Sequence, residues 1–417
     1  MSVSGDGAAT REAIGASPRA KYMTYATGLL SDTQSELIGF IIPLWAFVLG
    51  LGPLELGILV SAKAFLPSIL AIHGGVLMDR YGTRLVMLLM AAACTLMPPL
   101  FPISTWFPAL LLLQAAIGTV MSFAWIGAQA LAVNVGRDDP AVVGRFAFSA
   151  RVGVTLAPVT AGALWDAFPP WVAFAVVGAA GAILWFAIAS IPKADVGEEK
   201  GDRDSPRPPF SLRDLMPRLS DYIGAIGLLV IPAVAFVVIV SSVRIASALM
   251  QQSFYILYLK EIGLQATVIG LFVTLSQMMA AAGTLSAARM LRYLRPHWLF
   301  LAAVALSVFF VYATPIFGDV ILILAMAIAV RGFCQGISQP VMYTILSRAV
   351  GPDAQATAIG VRATGNRVAG LVVPIFMGAV AEVWSLNATF FVTGTLLLGI
   401  LAGMGAWIAI RGRPAGS

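Results

Sequence analysis

The sequence predicts an all-α integral membrane protein, and three of its properties support this prediction. Of its 417 residues, 59% are hydrophobic and only 11% are charged, whereas about a quarter of the residues in a soluble domain are charged. The apolar residues form runs of about 20, the length that a helix needs to cross a bilayer. The basic residues gather in alternate loops between these runs. The composition excludes a soluble globular protein, which needs far more polar surface.

Twelve apolar runs are long enough to span a membrane. Their centres lie near residues 36, 66, 93, 122, 156, 181, 245, 276, 306, 333, 370 and 399. The run from 222 to 259 is too long for one straight helix and contains Pro232, so its first part is expected to be an interfacial or extended approach to the seventh helix. We expect a cytoplasmic tail, a six-helix bundle, a cytoplasmic linker, a second six-helix bundle and a short cytoplasmic tail, at 1–22, 23–191, 192–221, 222–411 and 412–417.

The loop charges predict the orientation of the chain. With the N-terminus in the cytoplasm, nearly all loop lysines and arginines fall inside, and Lys260 is almost the only one outside. This distribution follows the positive-inside rule. It predicts a multi-pass protein of the cell inner (plasma) membrane with both termini cytoplasmic. The same rule accounts for the formal net charge of +6, so nucleic acid is not an expected partner.

The two halves carry a weak internal repeat. The segments RVGVTLAPVTAGALWD and RVAGLVVPIFMGAVAE are offset by 216 residues, and a second offset of 213 pairs Gly50 with Gly263 and Gly57 with Gly270. Parallel repeats predict two bundles related by a pseudo-two-fold axis along the membrane normal, with a substrate path between them. The first repeat contains residues that we expect to act in gating, which pair as Arg151 with Arg367, Pro158 with Pro374 and Gly162 with Gly378. It also pairs Asp166 with Glu382.

The turn after the second span reads GVLMDRYGTR, from Gly75 to Arg84. It closely resembles the G-x-x-x-D-R-x-G-x-R signature of the major facilitator superfamily. That resemblance implies a transporter with a cytoplasmic gate at this turn. Gly75 would permit close helix approach, Gly82 a tight turn, and Asp79 a bond to a helix N-terminus or an arginine that latches the gate, with Arg80 and Arg84 beside it.

Two further patterns resemble drug/proton antiporters of this family in part. Pro158 and Gly162 lie where those exporters carry a glycine/proline motif in helix five, but Ala157 stands where a glycine is usual. In helix four many of these exporters carry an arginine a turn before a glycine, and this chain has Gln114 before Gly118. The resemblance favours export, with these departures.

The first span contains two carboxylates, Asp32 and Glu36, one helical turn apart. A charge at the bilayer centre costs at least about 2.5 kcal/mol, so both are expected to face the central path. One interpretation is that a carboxylate takes up a proton as the halves move, with Glu36 preferred. The other is a static ion pair with Arg151 or Arg244 that holds the halves together.

Basic residues within the spans outnumber these two acids, even after those assigned to gates or interfaces are set aside. Surplus positive charge in a membrane needs an anion, and a substrate, chloride or a lipid headgroup can each supply it; of these we favour an anionic substrate. Polar side chains of helices seven and eight are expected to line the same path. The predicted substrate contacts are Lys63, Arg244, Arg331, Gln251, Tyr255 and Gln277.

These features predict a secondary active transporter, not an enzyme, that exports a small organic solute by proton-coupled alternating access. The sequence has no nucleotide-binding loop and no clustered metal ligands, so no cofactor is expected. The expected partners are a small-molecule substrate, protons and membrane lipid, and the expected state is a monomer. Three alternatives remain open: a proton-independent organic-anion exchanger or uniporter, an exporter of lipophilic drugs, and a non-transporting sensor or lipid-handling protein of the same fold.

Overall fold

The computed structural model describes residues 16–137, 139–192, 230–318, 320–350 and 352–411, and the regular structure in these ranges is entirely helical. Six long helices form the N-terminal half: α1 (Pro18–Val48), α2 (Pro53–Tyr81), α3 (Thr83–Leu96), α4 (Phe107–Val135), α5 (Pro140–Ala167) and α6 (Pro170–Ala189). Six form the C-terminal half: α7 (Pro232–Glu261), α8 (Ala266–Met290), α9 (Pro296–Tyr312), α10 (Ile321–Ala349), α11 (Pro352–Val383) and α12 (Leu386–Arg411).

The composition of these helices fits a membrane. Ten of the helices in the described ranges are long and apolar enough to cross one, and α9 is a shorter apolar helix. The remaining one, α1, is a continuous helix of 31 residues, but the polar residues Asp32, Gln34 and Glu36 interrupt its apolar sequence. The predicted twelve-helix architecture is therefore confirmed, and every predicted centre falls inside one helix.

Local sequence signals explain where several helices begin. A proline stands in the first turn of α1, α2, α4, α5, α6, α7 and α9, where its missing N–H costs no intrahelical hydrogen bond. At the start of α1, Ser17 Oγ accepts a hydrogen bond from Ala20 N at 3.2 Å. Because of this cap, α1 already includes residues 18–22 of the predicted tail. Residues 1–15 of that tail, most of the predicted linker and the tail 412–417 lie outside the described residues.

The start of α1 is tied to the start of α5 by an ion pair. Lys21 Nζ lies 3.1 Å from Asp139 Oδ2. This hydrogen bond, with another from the backbone N–H of Ala141, holds the pKa of the Asp139 carboxyl below its usual value. The contact joins two helix ends within one half of the protein.

The two halves meet along three helix pairs: α2 with α11, α5 with α8, and α1 with the final part of α7. We call the end of the bundle that carries the Gly82 turn the motif face, and the opposite end, which carries the α1–α2 and α7–α8 turns, the far face. Ser61 Oγ donates to the Leu371 carbonyl at 2.9 Å, and Thr274 Oγ1 donates to the Thr155 carbonyl at 3.0 Å. Both contacts lie in the far-face half of these helices, because helix direction alternates along the chain.

These two hydrogen bonds are equivalent under the sequence repeat. The offset of 213 residues turns Ser61 into Thr274, and the offset of 216 turns Thr155 into Leu371. Gly50 and Gly263, which the offset of 213 pairs, lie in equivalent turns, and both have positive φ, at 66° and 89°. The structure therefore confirms the predicted pseudo-two-fold relation between the bundles.

Candidate functional site

A cavity of about 370 Å³ lies between the two halves. Val60 and Gly370 on its walls adjoin the Ser61–Leu371 contact, and the cavity extends from there toward the motif face. Helices α1, α2 and α4 form one wall, and α7 and α11 the other. Its volume falls in the range of small-molecule sites, about 300–1,000 Å³. The lining residues are Asp32, Ser35, Gly39, Ile42, Val60, Lys63, Ala64, Pro67, Gln114, Gly118, Met121, Ser122, Trp125, Leu249, Gln252 and Gly370.

The α1 wall of the cavity carries Asp32, the first of the two predicted proton sites. Asp32, Ser35, Gly39 and Ile42 recur at three- and four-residue spacing and share one helical face. Glu36 lies one turn after Asp32 at the edge of this face, half-buried, and is not among the lining residues. Asp32 is also only half-buried. The structure thus brings Asp32 to the cavity wall and places Glu36 beside it.

Lys63 on α2 lies opposite these acids. Its Nζ donates to the backbone carbonyl of Ser35 at 2.8 Å. Within the part of the chain that the structure describes, Lys63 forms no ion pair within 4.0 Å with Asp32 or Glu36, although all three interact electrostatically. A lysine ammonium has three N–H donors, so donors remain that can point into the cavity.

Asp32 also lines a second cavity, of about 320 Å³, between α4 and α5. Trp125 is the other residue that both cavities share, and its ring stacks on Phe146 with centroids 5.9 Å apart. The second cavity contains Arg151, an exposed side chain within electrostatic range of Asp32 and Glu36. The N-terminal half therefore holds two carboxylates and two cations that interact with one another.

Arg244 does not contact Asp32, and this prediction is corrected. Among the described residues no ion pair joins the two, and the ionisable groups within electrostatic range of Arg244 are Arg331, Arg362 and Tyr343. The cause is the position of Arg244 along α7, because α1 packs mainly against the later Gln251–Glu261 part of that helix. Arg244 is 9% exposed.

Arg331 and two of its predicted neighbours lie behind the cavity wall. The guanidinium of Arg331 is 2% exposed; Nη1 donates to Gln251 Oε1 and Nη2 to the Ser247 carbonyl at 3.0 Å. Tyr255 is buried in the same cluster and interacts electrostatically with Arg331. These residues form a polar cluster inside the C-terminal half, and among the predicted substrate contacts it is Lys63 that lines the cavity.

Gln252 is the polar cavity residue of α7 that was not among the predicted substrate contacts. Residues Gln251–Tyr255 form a π-helical turn within α7, and such turns recur at functional sites. This turn directs Gln251 inward to Arg331, whereas Gln252 is exposed and lines the cavity. Gln277, predicted to line the path, is half-buried on α8 and is not among the lining residues.

The prolines and glycines among the predicted gating residues, Pro158, Gly162, Pro374 and Gly378, lie where the halves touch. A Cβ added at Gly57 would overlap the Pro374 carbonyl, and one at Gly270 would overlap the Pro158 carbonyl. Gly162 and Gly378 have the same relation to the starts of α8 and α2: added Cβ atoms there would overlap the carbonyls of Ala266 and Pro53. The paired arginines Arg151 and Arg367 are both exposed. The repeat therefore supplies two equivalent close crossings, α5 with α8 and α2 with α11.

The signature turn at the motif face is described in part. Gly82 has φ +91°, which only glycine adopts readily. Arg84 Nη2 donates to the Ala189 carbonyl, at the end of α6, at 2.8 Å, and the Arg80 guanidinium lies 5.5 Å from the Tyr81 ring centroid. The side chain of Asp79 and the surroundings of Gly75 lie outside the described residues, so the latch predicted for them stays a prediction.

Comparison with known proteins identifies the family. The family model described as Major Facilitator Superfamily matches residues 24–256 and 237–417. A crystal structure of the nucleoside transporter NupG superposes with a TM-score of 0.76 at 13% identity, covering 93% of this chain and 98% of that one. A bacterial homolog of the human lysosomal transporter Spinster, in an inward-facing and unoccupied conformation, gives 0.70 at 14% identity over 95% and 97%.

A POT family transporter in complex with a thioalcohol-conjugated peptide gives a TM-score of 0.73 at 11% identity, covering 95% of this chain and 97% of that one. No protein with a curated description matches the chain in sequence. At these identities the structural likeness shows the fold alone, while the family model extends over both halves. The chain therefore belongs to the major facilitator superfamily.

Proposed function

We propose that the protein transports a small organic anion by alternating access, together with a proton. The observation that carries the proposal is the cavity between the halves, with Lys63 on its wall. The ammonium of Lys63 is bound to a backbone carbonyl and not paired with a carboxylate. A lysine ammonium has three N–H donors, so donors remain for a ligand, and a carboxylate is a natural partner for them.

The charges of the C-terminal half support an anionic substrate. Arg244 and Arg362 lie in the interiors of α7 and α11. In the described part of this half, the acids Glu261, Asp353 and Glu382 lie in the terminal turns of helices, away from the helix-interior positions of these arginines. The N-terminal group of two acids and two cations is balanced, so the excess positive charge of the core belongs to the C-terminal half.

The position of Asp32 and Glu36 near Lys63 determines whether proton binding strengthens or weakens the binding of a substrate anion. Each ionised carboxylate competes with a substrate anion for the positive potential of Lys63. Proton uptake removes that competition, so protonation and anion binding favour each other. Such cooperation suits movement of anion and proton in one direction. Export in exchange for protons, the direction expected from the family resemblance, requires instead that the two compete.

The far-face contacts support an assignment of the conformation. The close glycine crossings of α2 with α11 and of α5 with α8 lie near the far face, and the cavity extends from there toward the motif face as far as Trp125. With the motif face in the cytoplasm, as the loop charges predict, this is an inward-facing state.

A second candidate, an exporter of lipophilic cations, is favoured by one observation. Ile42, Val60, Met121 and Leu249 give the cavity an apolar lining. A cation would bind to Asp32 and compete with a proton there, which is the relation that proton-driven export needs.

The sign of the pH effect separates the two candidates. Purified protein is titrated with benzoate, succinate and tetraphenylphosphonium at about pH 5.5 and about pH 7.5, and ligand binding is measured as a rise in the thermal midpoint. The proposal expects carboxylates to bind more tightly at the lower pH, and Lys63→Met to remove the effect. Tetraphenylphosphonium binding that strengthens at the higher pH and is lost in Asp32→Asn would replace it with the exporter.

Two further results would replace the proposed function with another. Carboxylate binding that is equal at both pH values indicates a proton-independent exchanger or uniporter. Binding without flux of the same carboxylate into proteoliposomes indicates a sensor or a lipid-handling protein.

A further inference from the structure

Four buried polar atoms around Arg331 have no hydrogen-bond partner among the described residues. They are Arg331 Nε, Ser247 Oγ, Gln251 Nε2 and the Tyr255 hydroxyl oxygen. Their residues are between 0% and 7% exposed. Buried polar groups in native structures are normally hydrogen-bonded, and each one left without a partner carries a free-energy cost. Four in one place therefore indicate a missing ligand.

The four atoms belong to one contact between α7 and α10. Ser247, Gln251 and Tyr255 follow one another at four-residue spacing on α7, across the start of the π turn. Arg331 of α10 reaches this row through its hydrogen bonds to Gln251 and to the Ser247 carbonyl. Because the Gln251 Oε1 atom already accepts from Arg331, the Gln251 amide presents its N–H donors to the remaining space.

The chemistry of the cluster selects an anion. All four groups can donate: a guanidinium N–H, an amide N–H and two hydroxyls. The ionisable groups within electrostatic range of Arg331 are Tyr255, Arg244 and Cys334, which offer a phenol, a second cation and a thiol but no carboxylate. A water molecule would satisfy hydrogen bonds but would leave the guanidinium charge uncompensated in the membrane core.

We propose that Arg331, Ser247, Gln251 and Tyr255, the Arg331 cluster, bind a small inorganic anion such as chloride inside the C-terminal half. The anion is a resident ligand and not the transported substrate, because the cluster lies behind the wall that carries Gln252. Its charge balances Arg331, and its hydrogen bonds fix the π turn that presents Gln252 to the cavity. The site does not depend on the proposed transport function.

The test measures the thermal midpoint of the purified full-length protein in sodium gluconate against sodium chloride, bromide and nitrate at constant ionic strength. Mass action predicts a saturable rise in the midpoint with each small anion. Tyr255→Phe and Ser247→Ala each remove one donor and are expected to weaken the apparent anion affinity roughly tenfold, while keeping the fold. Arg331→Gln is expected to abolish the anion dependence.

Two control variants locate the site. Tyr258→Phe makes the same chemical change one turn along α7, where the ring packs edge-on against Phe390 with centroids 5.5 Å apart, and it should leave the anion affinity unchanged. Lys63→Met alters the central cavity and should also leave it unchanged. Equal midpoints in gluconate and chloride would overturn the proposal in favour of water. An anion effect that is lost in Lys63→Met but kept in Tyr255→Phe would overturn it by placing the anion in the cavity.

Discussion

Asp166 and Glu382 occupy equivalent positions in the two halves, and each carboxylate accepts hydrogen bonds from the first turn of a helix in the other half. Asp166 accepts from the backbone of Ala266 at 3.1 Å and of Thr267 at 2.7 Å, and from the Thr267 hydroxyl at 2.7 Å. Glu382 lies 3.5 Å from Leu54 N. Helix N-termini attract anions, so the two acids act as paired clamps across the far face.

The unequal hydrogen bonding of these clamps predicts unequal effects of their removal. Asp166→Ala should weaken the far-face contact by about 1–3 kcal/mol, because it leaves several donors without a partner. Glu382→Ala, which loses one long hydrogen bond, should have a smaller effect. A cysteine placed at Ser61, in a background without Cys94 and Cys334, should react faster with an impermeant maleimide in both variants. An unchanged rate in Asp166→Ala would contradict the clamp, and Asp139→Ala serves as the control acid.

The close crossings of α2 with α11 and α5 with α8 predict that alanine substitutions at two distant glycines, Gly57 and Gly270, destabilise the contact between the halves to the same extent. Gly57→Ala and Gly270→Ala each place a methyl group against a carbonyl of the other half, which should destabilise the observed state by about 1–3 kcal/mol. The Ser61 labelling assay and the thermal midpoint both report this change. Gly399→Ala in α12 has open space around the new Cβ and should be neutral or stabilising by up to about 1 kcal/mol. Equal behaviour of all three variants would refute the close-contact explanation.

Lys63 is expected to control affinity for organic anions. Removing a hydrogen bond to a charged group costs about 1.5–3 kcal/mol, so Lys63→Met should weaken benzoate or succinate binding about 10- to 100-fold. Lys260→Met, a change at the far-face end of α7, should leave binding unchanged. The titration of the thermal midpoint measures both. Retention of full carboxylate affinity in Lys63→Met would remove this residue from the binding site.

The two carboxylates of α1 are expected to couple transport to the proton gradient. Reconstituted Glu36→Gln protein should lose gradient-driven carboxylate transport while it keeps exchange, because the neutral amide mimics a permanently protonated acid. Asp32→Asn should show the same separation and should also abolish the pH dependence of carboxylate binding, since Asp32 lies on the cavity wall. Full gradient-driven transport in both variants would contradict proton coupling at this pair.

Substitutions of the neighbouring glutamines of the π turn, Gln251 and Gln252, should affect different properties, stability in one case and ligand affinity in the other. Gln252→Leu changes a side chain on the cavity wall, so it should alter ligand affinity with little effect on the thermal midpoint. Gln251→Leu removes the partner of the buried Arg331 guanidinium, so it should lower the midpoint by several degrees, in line with a loss of about 2–4 kcal/mol. If Gln251→Leu altered only affinity, Gln251 would belong to the cavity and the assignment of its orientation would be wrong.

Sequence patterns predicted the fold well because the membrane imposes them. Span length, loop charge and the two offsets follow from bilayer thickness, topogenesis and duplication, and the structure reproduces the predicted centres and the repeat pairs. The direction in which each side chain points was less predictable. Consecutive residues of a helix point about 100° apart, so Gln251 and Gln252 had to face different surroundings. The sequence did not show which of the two faces the cavity.

The partner predicted for Asp32 shows a second limit of prediction from the sequence. The repeat places Arg244 at the position equivalent to Ser31, but equivalence under a pseudo-axis says nothing about the distance between the two residues. In the structure Arg244 lies closer to Arg362 than to any acid in the described ranges. The sequence therefore predicted which charged residues lie within the membrane spans. Which of them lie close to one another could be seen only in the structure.

Asp32 stands on the walls of two cavities. In the proposed transport, a proton and a solute would therefore have separate approaches to the same residue. A solute that fills the space beside Lys63 blocks one approach and leaves the one past Arg151 and Gln129 open. Neither ligand then has to arrive first. The transport cycle should follow random-order kinetics, in which saturating solute does not abolish the effect of pH on the rate.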